Sequence, residues 1–188
     1  AFDIGGANQI LNALANLIDL DYDEDGKIAS EGNLNETLFN QLNELKYFEK
    51  PYPKSLSNQW VQNEMVKRVF EFEESIQNRL RTVCEQIAFQ TKKSISKLIE
   101  KENLNKDEYQ IFVTGGGAMN TFLMDCLKRH CAEIGKFKWV IPDEKIISFK
   151  EAILMALMGV LRLERVPNCL SSVTGAVRNS IGGSVSFP

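Results

Sequence analysis

The stretch Ile111-Phe112-Val113-Thr114-Gly115-Gly116-Gly117-Ala118-Met119-Asn120 decides the fold class of this chain. An apolar run ends in three consecutive glycines, and a helix-competent segment over residues 118–134 follows. This order predicts a strand, a glycine turn and a helix. Glycines let a ligand approach backbone N–H groups, and a helix N-terminus favours anionic groups. The stretch is therefore either a nucleotide or phosphate site or a tightly packed β–α turn, and it lacks the Gly-Lys-Ser/Thr of a P-loop.

The pattern around this stretch alternates strands with helices. Residues 109–114 and 137–141 read as strands, and residues 119–134 and 148–165 as helices. This βαβα order predicts an α/β layer in which at least part of the sheet is parallel. Because two strands do not make a stable open sheet, we expect further strands from outside this segment.

The first hundred residues predict mostly helices. Apolar spacing gives a helix after Asn8, a short helix over 35–46, and a long helical stretch over 58–101 with a break before Ser75, its expected N-cap. The prolines at 51 and 53 make that segment extended. The acidic loop 19–32 imitates an EF-hand, but Gly32 stands where the bidentate glutamate belongs, so calcium is rejected.

Composition narrows the class of protein. The chain has 188 residues, 44% apolar and 25% charged, with a net charge of −3, which predicts an ordinary globular protein without a basic surface for nucleic acid or anionic membrane. No apolar run approaches the roughly 20 residues of a membrane span. The four cysteines form no CxxC pair and His130 is the only histidine, so no metal site is predicted. Cysteines in helical patterns favour reduced thiols and a cytoplasmic protein.

Individual polar residues each allow two interpretations. Asp3, beside Gly5 and Gly6, is either a general base held by a rigid turn or the N-cap of the helix that follows. Lys54, after a Pro-x-Pro corner, either meets an anion or is a solvated loop lysine. His130 reads as a surface residue or a partner of a helix C-terminus.

Three further residues receive structural interpretations. Glu151 reads as the start of a helix, where a carboxylate complements the helix dipole. Trp60 and Trp139 read as packing residues of a helix and a strand, and no functional role is assigned to either.

Five groups of residues carry a family resemblance because they occur together in one order. They are Phe2-Asp3-Ile4-Gly5-Gly6-Ala7-Asn8, Tyr22-Asp23-Glu24-Asp25-Gly26, Pro51-Tyr52-Pro53-Lys54-Ser55, Val113-Thr114-Gly115-Gly116-Gly117-Ala118-Met119-Asn120, and Lys150-Glu151-Ala152 with Val173-Thr174-Gly175-Ala176. Each alone is weak, but the ordered set resembles the C-terminal half of the anhydro-N-acetylmuramic acid kinases, in the sugar kinase–Hsp70–actin superfamily.

The resemblance implies a fold and a reaction. The fold is α/β, the C-terminal half of an actin-like, ribonuclease H-like sugar kinase, with a helical insertion at about residues 10–105 and a nucleotide-binding part at about 106–188. The reaction is ATP-dependent phosphorylation of 1,6-anhydro-N-acetylmuramic acid while water opens the anhydro ring, giving N-acetylmuramic acid 6-phosphate in cell-wall recycling. Magnesium would be bound through the ATP phosphates.

The resemblance also implies roles for single residues. Asp3 matches the general base that activates water, and Glu151 resembles a sugar-contacting glutamate, with Asn8 and Lys54 as further substrate contacts. The remaining implied residues contact the nucleotide, and they are Gly5, Gly6, Gly115, Gly116, Gly117 and Asn120. A homodimer and a cytoplasmic location are implied as well.

The chain departs from the family pattern in two ways. Ile4, Gly6 and Ala7 replace the usual threonine, proline and glycine, and the lost hydroxyl removes one contact to phosphate or magnesium. The N-terminal half of the family, with the first phosphate loop, is absent. We therefore expect the isolated chain neither to turn over nor to bind ATP tightly. The alternatives are another sugar or acetate kinase, or a non-catalytic nucleotide-binding or regulatory module of the same fold.

Overall fold

The computed structural model describes residues 1–186, in two compact units that comprise residues 2–141 and residues 142 onward. The helices of the first unit are α1 (Asn8–Asn16), α2 (Lys27–Glu31), α3 (Glu36–Asn43), α4 (residues 58–71), α5 (Ile76–Lys101) and α6 (Thr121–Cys131). Its strands are β1 (Tyr109–Phe112) and β2 (Phe137–Val140).

The predicted break in the long helical stretch is confirmed. Helix α4 ends before Phe72, and α5 begins after Ser75, whose hydroxyl accepts a hydrogen bond from the Asn78 N–H at 3.3 Å. Within α4, Val61–Val66 forms a π-helical turn, a local widening that often occurs near functional sites.

Helix α5 is the centre of the first unit. It packs against α1, α2, α3 and α6, because its apolar side chains face inward on several sides. The largest fully buried apolar side chains of the unit are Ile10, Leu14, Leu38, Leu42, Met65 and Leu80. Burying one such side chain stabilises the fold by about 1.5–3 kcal/mol, so this helical core provides most of the stability of the first unit.

The two strands pair in parallel, as predicted. Tyr109 lies opposite Phe137 and Phe112 lies opposite Val140, with α6 as the crossover between the strands. The Tyr109 and Phe137 rings stack with their centroids 5.4 Å apart. The glycine turn leaves the carboxyl end of β1, the end at which open α/β sheets bind ligands.

The segment predicted to be an acidic loop contains helical structure instead. Residues Glu24–Gly26 form a 3₁₀ turn and α2 follows directly. The buried Asp23 carboxylate accepts hydrogen bonds from the Ile28 and Ala29 N–H groups at 2.9 and 3.0 Å. Asp23 therefore caps α2, a role that was not predicted because the sequence pattern resembles an EF-hand loop.

The second unit contains α7 (Glu144–Leu163) and α8 (Ser171–Thr174). Helix α7 begins four residues before the predicted start, because the Asp143 carboxylate accepts the Ile146 N–H at 2.9 Å and caps it. The prediction that Glu151 begins this helix is therefore wrong, and Glu151 is an exposed residue inside it. Over residues 1–186, no helix is long and apolar enough to cross a membrane.

Candidate functional site

A cavity of about 680 Å³ opens in the first unit beside the glycine turn. This volume lies within the range of small-molecule sites. Two glycine-containing turns line it, residues 5–7 before α1 and residues 115–117 after β1. Among the lining residues that the structure describes, Asp3 is the one with an ionisable side chain. The sequence-predicted residues that meet here are Asp3, Gly5, Gly6, Asn8, Gly115, Gly116 and Gly117.

Asp3 is held in place by hydrogen bonds on three sides. Its N–H donates to the Lys54 carbonyl at 3.0 Å, and its own carbonyl accepts from the Tyr47 hydroxyl at 2.8 Å. Its Oδ2 accepts the Leu56 N–H at 2.7 Å, while Oδ1 has no hydrogen-bond partner among residues 1–186. Burial, together with the negative charge of Asp3, raises the pKa of Tyr47 to about 12, so this phenol stays a donor. The carboxylate is thus fixed through one oxygen and available through the other.

The interpretation of Asp3 as an N-cap finds no support in these contacts. Helix α1 begins at Asn8 after Ala7, and no side chain among residues 1–186 caps it. The first N–H groups of α1 therefore point out of the helix end beside the cavity, which Ala7, Asn8 and Gln9 line. A helix end of this kind attracts anionic ligand groups.

The second glycine turn approaches the first through Asn8. Gly115 has φ +91°, a backbone conformation that L side chains rarely adopt. A Cβ on Gly116 would lie 3.0 Å from Asn8 Nδ2, and one on Gly117 would lie 3.3 Å from Asn8 Oδ1. Glycine is therefore needed here for close packing, and its absent side chain leaves the backbone open to the cavity.

The predicted direct passage from glycine turn to helix needs correction. A 3₁₀ turn, Gly116–Met119, intervenes, and α6 begins only at Thr121. Asn120 caps α6 by accepting the Leu123 N–H at 2.8 Å, and it is not among the cavity-lining residues. The exposed helix end at the cavity is consequently that of α1 and not that of α6.

Two other predicted site residues lie elsewhere. The Lys54 ammonium group sits 4.4 Å from the centroid of the Tyr47 ring and donates to the Tyr47 carbonyl at 3.2 Å, in a separate groove. Glu151 belongs to α7 in the second unit.

Several cavity residues escaped sequence reasoning. Trp139, read as strand packing alone, lines the cavity from β2, and Thr91 lines it from α5. Gln9 donates to Asn58 Oδ1 at 2.7 Å, which ties the start of α1 to the start of α4 on the cavity wall. The start of α4 could have been predicted from the Ser57-Asn58 pair before an apolar helical run, because such residues commonly begin helices.

His130 is not a surface residue, so the first of its two interpretations is wrong, but it lies in the last turn of α6, as the second requires. Its Nε2 lies 2.8 Å from Glu85 Oε2 on α5, while Arg129 donates to Glu85 Oε1 at 2.6 Å. The Glu85 side chain is 5% exposed, so this buried carboxylate joins α5 to α6. Burial raises the pKa of Glu85, but the hydrogen bonds and positive charges of His130 and Arg129 outweigh burial and lower it to about 2.

The described residues contain no group of three or more His, Cys, Asp or Glu side chains able to hold a metal by themselves. Mg²⁺ in phosphoryl-transfer sites usually takes one or two protein carboxylates and otherwise binds water and phosphate oxygens. With Asp3 as the one ionisable side chain of its described lining, the cavity does not fit an all-protein metal cage, and a magnesium ion here would bind mainly through phosphate oxygens and water.

Comparison with known proteins identifies the relatives of this chain. A family model described as anhydro-N-acetylmuramic acid kinase matches residues 1–188. The anhydro-N-acetylmuramic acid kinase of Psychrobacter cryohalolentis is 31% identical over 99% of this chain and 44% of its own length. Those of Coxiella burnetii and Vibrio vulnificus are each 30% identical, over 98% and 94% of this chain and 48% and 47% of their own lengths. This chain spans about half the length of these relatives, and it belongs to the anhydro-N-acetylmuramic acid kinase family.

Proposed function

We propose that the protein carrying this sequence is an ATP-dependent kinase that converts 1,6-anhydro-N-acetylmuramic acid and water to N-acetylmuramic acid 6-phosphate, in the recycling of cell-wall sugars. The observation that carries the proposal is the position of Asp3. Its carboxylate lies in a ligand-sized cavity between two glycine turns, fixed through Oδ2 and free at Oδ1. The kinase family to which the chain belongs supports a reaction of this kind at this site.

Asp3 would act as the general base. A base must lie within hydrogen-bond reach of the proton that it removes, and it must be held rigidly. The Leu56 N–H and the backbone bonds to Lys54 and Tyr47 meet the second condition. Free Oδ1 would accept a proton from the attacking water, and the sugar would occupy the cavity on that side of the carboxylate.

The nucleotide phosphates would bind at the glycine turns. The backbone of residues 115–117 carries no Cβ, and the uncapped start of α1 adds N–H groups that favour negative charge. Magnesium, bound mainly through the phosphates, would neutralise charge that develops on the transferred phosphoryl group. Ile4 offers no hydroxyl to this arrangement.

The isolated chain would form only part of the working site. The described sheet has two strands, fewer than a stable open sheet needs, and the relatives are about twice as long. We propose that the whole protein has the actin-like fold, that its first half completes the sheet and the substrate site, and that Glu151 and Lys54 contact substrate there. Enzymes of this kind close two domains around their ligands. A cytoplasmic homodimer is part of the same proposal.

The test is a coupled ADP-release assay with 1,6-anhydro-N-acetylmuramic acid on the full-length polypeptide, its Asp3→Asn variant and this chain alone. Asparagine keeps an oxygen for the Leu56 N–H but loses the base. We expect turnover by the full-length protein, a loss of about 10²-fold or more in kcat for the variant, and none by this chain alone. If the full-length protein binds ATP but does not turn over, the protein is a nucleotide-binding module and not a kinase. If the full-length protein and its Asp3→Asn variant turn over at equal rates, Asp3 is not the general base.

A further inference from the structure

A groove on the first unit gathers four lysines, of which the proposed kinase reaction uses only Lys54. Its lining includes Lys50 and Lys54 from the segment before α4 and Lys93 and Lys97 from α5. The two α5 lysines are four residues apart and therefore lie on one face of the helix. We propose that this lysine groove binds a small multivalent oxyanion of the phosphate class, at a site separate from the Asp3 cavity.

The positive charges of the groove lysines are uncompensated among the residues that the structure describes. Among residues 1–186, no ion pair within 4.0 Å involves any of the four groove lysines. The nearby Glu102 carboxylate accepts the Tyr52 hydroxyl at 3.2 Å instead. Burial lowers the pKa of Lys54, and the positive charges of Lys97, Lys93 and Lys50 lower it further. Like charges repel when the groove is empty, in a chain whose net charge is negative.

The groove is small and partly lined by aromatic side chains. Its volume is about 30 Å³, and aromatic rings form part of its lining: Phe2 and Tyr52 stack with centroids 5.1 Å apart, beside Phe48. This volume holds about one small group between the rings and the lysines, and the Lys93 and Lys97 side chains are exposed at its edge. Ser94 adds a neutral hydroxyl donor to the lining.

The chemistry of the lysines favours phosphate. An ammonium group is a compact charge with three donors, which suits the tetrahedral oxygens of phosphate without the planar fork that carboxylates match best. Several such groups around one small space favour an anion with several charges over a single carboxylate. The fitting ligand is therefore a small phosphate compound such as a diphosphate.

The groove and the Asp3 cavity share the short segment 54–56. Lys54 lines the groove, while its carbonyl accepts the Asp3 N–H at 3.0 Å and the Leu56 N–H holds the Asp3 carboxylate at 2.7 Å. An anion that draws the Lys54 ammonium group outward would therefore act on the segment that positions Asp3. In the part of the chain that the structure describes, the two sites share no lining residue.

The test is calorimetric titration of sodium pyrophosphate into this chain at constant ionic strength, with a Lys93→Gln/Lys97→Gln variant. Both lysines are exposed, so the fold should persist. The control, Lys106→Gln/Lys138→Gln, removes the same charge from exposed lysines outside the groove. We expect saturable binding that weakens about tenfold or more in the first variant and stays unchanged in the control. Equal weakening in both variants would show that net charge and not the groove determines binding, which would overturn the proposal. The absence of saturable binding would overturn it as well.

Amide NMR on the unchanged chain locates the ligand independently of any variant. Pyrophosphate should shift amide signals of residues 50–56 and 93–97. Shifts confined to the glycines at 5, 6 and 115–117 would place the anion in the Asp3 cavity and overturn the proposal. Citrate at the same ionic strength should bind more weakly than pyrophosphate, and equally tight citrate binding would refute the assignment to the phosphate class.

Discussion

Replacement of Glu85 by glutamine should weaken the join between α5 and α6. Glu85 accepts from Arg129 at 2.6 Å and faces His130 Nε2 at 2.8 Å, and its side chain is 5% exposed. A pKa lowered from 4.5 to about 2 corresponds to roughly 3 kcal/mol of stability above pH 4.5. Breaking a buried pair by removal of one partner costs about 3–5 kcal/mol, which agrees with this figure. We therefore expect Glu85→Gln to lower the free energy of unfolding by about 3 kcal/mol at pH 7.

Urea unfolding at pH 7 and at pH 3 measures the effect. For a urea dependence of about 2 kcal/mol/M, the midpoint should fall by about 1.5 M at pH 7. The carboxylate has a lowered pKa in the folded state, so its contribution is complete above pH 4.5 and disappears as the pH falls towards 2. The difference between wild type and variant should consequently shrink at pH 3.

The matched control is Glu133→Gln, because Glu133 pairs with Lys92 at 2.8 Å on the surface, where ion pairs stabilise little. This variant should lower the urea midpoint much less than Glu85→Gln does. A midpoint for Glu85→Gln equal to that of wild type at pH 7, or a difference that stays constant down to pH 3, would refute the assignment of this stability to the buried carboxylate.

Two more predictions concern packing and thiol reactivity. Gly6→Ala should cost about 1–3 kcal/mol of unfolding free energy, because the added Cβ would lie 2.8 Å from Val61 Cγ1. Gly159→Ala should cost nothing, because no atom of the described residues lies within 4 Å of the added Cβ. Urea midpoints compare the two variants, and equal midpoints would contradict the packing argument. With Ellman's reagent at pH 8, the half-buried Cys169 should react first, since the other three thiols are buried. Burial also raises the pKa of Cys126 to about 11, which lowers the reactivity of that thiol. A second thiol that reacts equally fast in the native chain would contradict this prediction.

Local sequence signals predicted the parts of the fold that local physics controls. The break at Ser75 and the strand–turn–helix order around residue 112 follow from capping and apolar periodicity, and the structure confirms both. The start of α7 was missed because Asp143 caps it, while the prediction placed the start at Ser148, a residue of similar capping ability. Boundaries of this kind depend on which of two competing caps the tertiary fold selects.

The candidate site was predictable only where backbone conformation demands glycine. The turn at Gly115 could be read from sequence, because its φ of +91° excludes most side chains. The bond of Asp3 to Leu56 and the pairing of His130 with Glu85 could not, because their partners lie 53 and 45 residues away in sequence. Trp139 was assigned to packing since an apolar residue in a strand looks the same whether it faces a core or a cavity.

The position of Trp139 gives the cavity its own optical reporter. An indole at the wall changes its emission when a ligand displaces water from beside it, so titrations can be followed without a dye or a radioactive nucleotide. The chain has two tryptophans. The other, Trp60, packs against the core, with its ring centroid 5.1 Å from that of Tyr47. Trp60→Phe would leave Trp139 as the one tryptophan of the chain. Because Trp139 lines the Asp3 cavity and is not in the described lining of the lysine groove, its emission would distinguish a ligand in the cavity from one in the groove.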